Sequence, residues 1–309
     1  LGVRLDSFGD SSERLAEIRD SLPACVDSFA PGCYHARMMS ERPSANENSS
    51  LYSEEGYCVQ RGVIAPPEIA SLRLSLDRMI EELPDDRRLE SLVEPHIHAA
   101  DWRAWLELGR DGRLLSVTAE VLGCEELLLL STHLLVKPPR DGLALCWHQD
   151  NTYWPGVSGV DVCTVWLAID DSDLGNGCMK VIPRTQSGYP ELEMVPTDGS
   201  DLLGVRVEVT AEMESGAVAL ELEAGSLSIH DSYIIHGSER NESDRRRAGL
   251  TFRFANAATV GVDLEKHGKP VYYVRGTGAF LADGQRDISG GRPLPEDPGV
   301  HLSRRFENR

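Results

Sequence analysis

Beyond Gly123 the chain breaks into short β-rich runs separated by Gly, Pro and other turn residues. The runs cover 127–137, 143–149, 162–169, 178–182, 205–209, 217–222, 226–230, 234–236, 249–255 and 271–274. Many short strands with this punctuation predict a sandwich or jelly roll. A jelly roll brings strands that are distant in sequence together at one mouth. That constraint decides which polar residues of this segment can meet. No internal repeat is present.

The segment before Gly123 has a helical texture. Leu15, Ile18 and Leu22 fall at helical spacing, and the polar stretch 39–50 reads as a flexible connection. Residues 1–50 are therefore expected to be a helical appendage and linker, and 51–309 one domain. A strand is expected over 57–64. Pro66-Pro67 then opens a helix whose apolar face carries Ile69, Leu72, Leu76, Met79, Ile80 and Leu83, and Pro84 stops it. Trp102, Trp105 and Leu106 mark a second helix. Asp111 caps a third, which ends at Gly123.

Within the β-rich part, His148 and Asp150 are two residues apart, so on a strand both side chains point to one face. Two imidazoles and one carboxylate on one side of a metal form the facial triad of non-haem Fe(II) sites, with open positions opposite. A downstream histidine would complete it. His236 and His230 compete for that place, and six positions apart on one strand they would face the same way. His96, His98 and His133 read as structural, with His96 near the edge of a possible cleft. An arginine about ten residues beyond a metal histidine can grip an acid co-substrate with two parallel hydrogen bonds. Arg247 has that place, and Arg253 shares its strand parity.

The run His148-Gln149-Asp150, then Trp166, Asn176-Gly177, and His236-Gly237-Ser238 with Asn241, Ser243 and Arg247 resembles the phytanoyl-CoA dioxygenase-like family of Fe(II)/2-oxoglutarate oxygenases. The likeness covers roughly residues 51–260. It implies a mainly β fold with flanking helices around a double-stranded β-helix (cupin-like jelly roll) core at about 124–260. It implies that His148, Asp150 and His236 hold iron. It also implies that Arg247 and Ser238 grip the far carboxylate of 2-oxoglutarate, while Lys137 and Trp166 line its pocket. The reaction implied is hydroxylation of a small molecule by O₂, coupled to conversion of 2-oxoglutarate to succinate and CO₂. Asp150 favours hydroxylation over halogenation, but desaturation, epoxidation or ring formation can use the same three ligands. One departure from the family's pattern is Arg184-Thr185-Gln186 after the Asn-Gly turn, on what is the substrate side in the family. A metal-binding cupin-like isomerase or small-molecule sensor without redox chemistry is the alternative. It would need the triad but not Arg247 and Ser238.

The net charge of −19 argues against nucleic acid or an anionic membrane surface as partner. It also favours a neutral or cationic free small molecule over a CoA thioester, with Arg184 as the candidate for a local anion contact. No apolar run reaches the ~20 residues of a membrane helix. The 7 cysteines lack paired spacing, which is the pattern of reduced thiols and a cytoplasmic setting. His267, Lys269 and 272–275 are expected to fold over the opening of the pocket. Tyr153 and Trp154 either wall it or pack beneath a loop.

Overall fold

The computed structural model describes residues 45–84, 87–92 and 94–299. The helix expected over 11–22 and the thiols Cys25 and Cys33 lie outside them, as does most of the expected appendage. The expected connection over 39–50 is corrected at its end: helix α1 (Ala45–Glu55) already begins there. The three expected helices follow, α2 (Pro66–Glu81), α4 (Trp102–Gly109) and α5 (Gly112–Leu122), with a single turn α3 (Pro95–His98) before α4 that the sequence did not announce. Two prolines occupy the first helical positions of α2, where no intrahelical N–H is needed. The Asp111 carboxylate accepts the Arg113 N–H at 2.8 Å and caps α5.

The strands are β1 (Tyr57–Gln60), β2 (Leu127–Lys137), β3 (Leu145–His148), β4 (Val157–Ser158), β5 (Val162–Ala168), β6 (Met179–Ile182), β7 (Met194–Pro196), β8 (Val205–Val207), β9 (Val218–Leu220), β10 (Leu227–Asp231), β11 (Ile235–Ser238), β12 (Arg247–Asn256), β13 (Gly261–Val262), β14 (Tyr272–Arg275) and β15 (Arg286–Asp287). The larger sheet has the order β1-β10-β5-β12-β2-β14-β15 and the smaller β3-β11-β6-β9. Every pairing in the two sheets is antiparallel except β14 with β15. This is the jelly roll that the strand pattern predicts. The strands missed in the sequence (β4, β7, β13, β15) are two or three residues long, too short to show an alternation.

Alternation along the larger sheet decides which residues reach the site. Val165 and Leu167 of β5, Ile229 of β10 and Leu250 and Phe252 of β12 join one apolar cluster with Leu76, Trp105, Leu106 and Leu114 of the helices. Their strand neighbours Thr164, Trp166, His230, Arg247, Thr251 and Arg253 line a cavity on the other face. In β2 the inward parity shifts where β12 slips register between Arg253 and Phe254. Leu127 and Leu129 belong to the helical cluster, whereas beyond the irregularity Ser131, His133 and Leu135 face the cavity. The bulge therefore re-aims a strand at the edge of the site.

Candidate metal centre and co-substrate pocket

His148 ends β3, and Asp150 lies just past it in a single 3₁₀ turn. Gln149 between them is extended (φ −113°, ψ 137°), so the strand alternation carries through to Asp150 and both side chains share a face. His236 in β11 is the direct antiparallel partner of His148. The two rings lie 4.1 Å apart between centroids. The ligand atoms of His148, Asp150 and His236 all fall within 4.8 Å of one another, and all three residues are buried.

Hydrogen bonding orients both imidazoles. His148 Nδ1 lies 2.8 Å from the Cys146 carbonyl and His236 Nδ1 lies 3.1 Å from that of Ile234. A carbonyl only accepts, so each Nδ1 carries the proton and each Nε2 presents a lone pair. Those Nε2 atoms stand 4.0 and 3.9 Å from Asp150 Oδ1. Burial pushes both imidazoles below their ordinary pKa, which keeps them neutral, the form that binds metal. Burial alone would raise the Asp150 carboxyl, but Arg253 and the nearby imidazoles outweigh it and hold the group well below the usual carboxylate range. Two neutral imidazole lone pairs and one carboxylate oxygen converging on one point fit a divalent metal of the iron class.

His230 does not share a strand with His236, contrary to the geometry expected from sequence. It sits in β10 of the larger sheet, and a short turn passes the chain across to β11 of the smaller one. The two rings nevertheless converge to 4.4 Å, and His230 Nε2 is 3.6 Å from Asp150 Oδ2. Thr164 donates to that same oxygen at 2.5 Å. Thr164 was not singled out by any motif; its parity with Trp166 is the signal that could have found it. Replacing Thr164 with Val should leave the fold in place and weaken Fe(II) binding about 10- to 100-fold, the usual effect of losing a partner that orients a metal ligand. Anaerobic equilibrium dialysis against iron checks this.

Arg247, Trp166 and Ser238 border the same cavity as the triad. Arg247 is buried, and its Nε and Nη2 both donate to the Gly177 carbonyl, at 3.1 and 2.9 Å. Gly177 has φ 78°, and a side chain there would come within 2.6 Å of the Glu239 carbonyl, so the Asn-Gly turn is what places this acceptor. Nη1 of Arg247 is buried with no hydrogen-bond partner among the described residues. Burial lowers the guanidinium to about 10, so it remains a cation at neutral pH. Its central carbon lies 5.3 Å over the Trp166 ring. Opposite that ring, a Cβ at Gly249 would stand 2.0 Å from the indole. Gly249→Ala is thus expected to displace Trp166 and cost about 1–3 kcal/mol, the usual cost of overpacking, read as a lower urea midpoint.

Lys137 and Arg184 depart from expectation. Lys137 is buried opposite Arg247 in the β2–β12 pairing, but its Nζ donates to the Ser238 and Glu239 carbonyls and it is not among the residues lining the cavity. It braces the strand that carries His236 and Ser238. Burial and the Arg247 charge push it down to about 6. Arg184 points away from the cavity into an ion pair with Glu55, and Thr185 accepts the Ile235 N–H at 2.9 Å. That loop therefore supports β11. His96 bonds Thr132 Oγ1 at 2.7 Å and meets Tyr272 edge-on, a structural role. Tyr153 and Trp154 do wall the cavity, as do His267 and Lys269. Tyr272–Arg275 instead form β14 of the larger sheet.

The fold and this cluster define a class: a jelly-roll protein with a buried two-histidine, one-carboxylate candidate metal centre. Residues 52–249 match the model of the phytanoyl-CoA dioxygenase (PhyH) family, and the chain belongs to that family. It is 24% identical over 243 residues to the peroxisomal phytanoyl-CoA dioxygenase of Bos taurus, covering 71% of each chain. Among solved structures it resembles the non-heme monooxygenase ThoJ, with a TM-score of 0.65 and 20% identity over 83% of this chain and 96% of that one. It also resembles the epimerase SnoN, solved with Fe³⁺, alpha-ketoglutarate and a nogalamycin compound. There the TM-score is 0.57 and the identity 19%, over 82% of this chain and 96% of that one. At these identities the structural likenesses establish the shared fold. Among the described residues no helix is long and apolar enough to cross a membrane.

Proposed function

We propose that the protein is an Fe(II)- and 2-oxoglutarate-dependent oxygenase that hydroxylates a small molecule. His148, Asp150 and His236 are its metal ligands, and Arg247 and Ser238 its anchor for the co-substrate. One observation carries the reading: a buried guanidinium that, among the described residues, has a free N–H and no carboxylate partner shares a cavity with the buried triad. A buried unpaired cation is costly unless an anion completes it. A dicarboxylate that reaches the metal at one end and Arg247 at the other does so. Family membership and the SnoN complex with iron and alpha-ketoglutarate support the same pairing.

When bound, iron and 2-oxoglutarate supply the oxidising chemistry, with succinate and CO₂ as co-products. The chain's own residues bind and orient. Arg247 receives the far carboxylate while Gly177 fixes its plane. Trp166 excludes water from that end. Thr164 and His230 hold Asp150 so that one oxygen faces the two imidazoles. Tyr153 and Trp154 wall the substrate side. The cavity is about 380 Å³, at the low end for small-ligand sites. Because the co-substrate shares this space, the substrate's enclosed part is compact. The scattered thiols support a reducing, cytoplasmic setting.

The epimerase among the structural relatives favours a second reading on one point: the same fold serves net redox-neutral outcomes. The two readings separate by experiment. Iron, 2-oxoglutarate and isotopically labelled O₂ with a panel of compact substrates should yield succinate and a product carrying one labelled oxygen. Succinate with an unlabelled, isomeric product would point to epimerisation. No succinate with any substrate, despite iron and 2-oxoglutarate binding, would support the non-redox alternative.

A further inference from the structure

The charge inside the cavity is opposite to that of the chain as a whole. Five charged residues line it: Glu94, Asp150, Arg247, Arg253 and Lys269. In the proposed function Asp150 is engaged by metal and Arg247 by the co-substrate. The remaining three are two cations and one anion, which leaves the substrate end with one net positive charge. Lys269 Nζ stands 2.7 Å from Glu94 Oε1, so this pair largely cancels. Among the described residues Arg253 makes no hydrogen bond to a carboxylate, although its charge helps hold Asp150 ionised. Its nearest carboxylate is Asp150 at 3.7 Å, beyond hydrogen-bond length, and that carboxylate already faces the two imidazoles.

Unused hydrogen-bonding capacity lies in the same place. Arg253 Nη1 donates to Thr251 Oγ1 at 2.5 Å, but its Nε is buried without a partner among the described residues. His133, on the adjacent strand opposite Thr251, also has a buried Nε2 without a partner among those residues. Burial lowers His133 to about 3, so it is a neutral ring able to donate to an oxygen. Trp154, Pro155, Leu202 and Leu203 add apolar surface to the cavity, alongside the polar Ser131, Thr132, Thr251 and His267.

We propose that the substrate carries an oxyanion, a carboxylate or phosphate on a compact apolar body, and that Arg253, His133 and Lys269 form its seat. This rests on the oxygenase reading and names the substrate class of that site. It reverses the expectation of a neutral or cationic substrate. The net charge of −19 is a whole-chain quantity, whereas recognition depends on the few charges that face the ligand.

The test uses the full chain loaded with Fe(II) and 2-oxoglutarate under nitrogen, titrated calorimetrically with four fragments of one skeleton. These are 2-naphthoate, 2-naphthyl phosphate, methyl 2-naphthoate and 2-naphthylmethylamine. At least one of the two acids should bind about tenfold more tightly than the ester and the amine. Which acid binds better distinguishes a carboxylate from a phosphate seat. Lys269→Met should weaken that binding and Glu94→Gln should strengthen it, with 2-oxoglutarate affinity unchanged in both. Arg253→Gln should abolish the preference for acid. Equal binding of acid and ester, a preference for the amine, no binding of either acid, or an acid preference that survives both Arg253→Gln and Lys269→Met would each overturn the proposal. If the loading step itself fails, with neither iron nor 2-oxoglutarate taken up, the oxygenase reading falls with it.

Discussion

Replacing any one of His148, Asp150 or His236 with Ala should lower Fe(II) affinity by more than about 100-fold and abolish succinate formation. The estimate is a floor. Losing a residue that merely orients a ligand costs about 10- to 100-fold in metal affinity, and these three residues would donate to the metal directly. Each removal has a distinct physical consequence. Without Asp150 two neutral imidazoles remain, and nothing in the triad offsets the charge of a divalent ion. Without either histidine the direct β3–β11 pairing that sets the two imidazoles side by side survives, but one lone pair is missing. Anaerobic iron titration followed by the succinate assay checks this. Retained iron affinity and turnover in the triple variant would refute the assignment of the ligands.

Arg247→Ala should raise the 2-oxoglutarate dissociation constant far more than Arg245→Ala. Truncating one partner of a buried, charge-assisted contact costs about 2–5 kcal/mol, roughly thirty- to several-thousand-fold. Arg247 is buried and lines the cavity. Arg245 is about half exposed and pairs with Asp173 at 2.7 Å on the surface. Such exposed pairs contribute about 0–1 kcal/mol, and this one is not part of the pocket. Arg246 is likewise engaged outside the cavity, with Asp170 and Asp77 at 2.8 and 2.6 Å. Three consecutive arginines therefore have three different environments, and among the described residues only the third has a buried donor left without a partner. Binding of 2-oxoglutarate to the iron-loaded protein, followed by calorimetry, separates the variants. A larger loss in Arg245→Ala would show that the wrong arginine had been placed at the co-substrate.

Periodicity made much of this molecule legible. The run 127–137 is β2 residue for residue, and the Pro66 start, the Asp111 cap and the Gly123 stop are all where elementary helix chemistry puts them. The triad was legible because His-x-Asp has the spacing of one strand face, and because Gly237, Ser238 and Arg247 follow His236 in family order. These are local properties: side-chain direction alternates along a strand whatever lies across from it.

What lies across was not legible. Lys137 has the right type and strand parity for a pocket residue, yet it turns to two carbonyls beside β11. Arg184 sits in the loop whose sequence departs from the family, yet it faces Glu55. Glu94 carries no motif and reaches the cavity through a left-handed turn residue (φ 51°) just before α3. His230 and His236 are close because the chain changes sheets between them, which spacing alone cannot reveal. The sequence by itself determined the jelly-roll class, the strand faces and the candidate metal ligands, since each follows from backbone periodicity and residue type. Only the tertiary structure decided which buried donors are left without partners, and hence where a ligand's charge belongs, because hydrogen-bond satisfaction depends on what the other strands bring within about 3 Å.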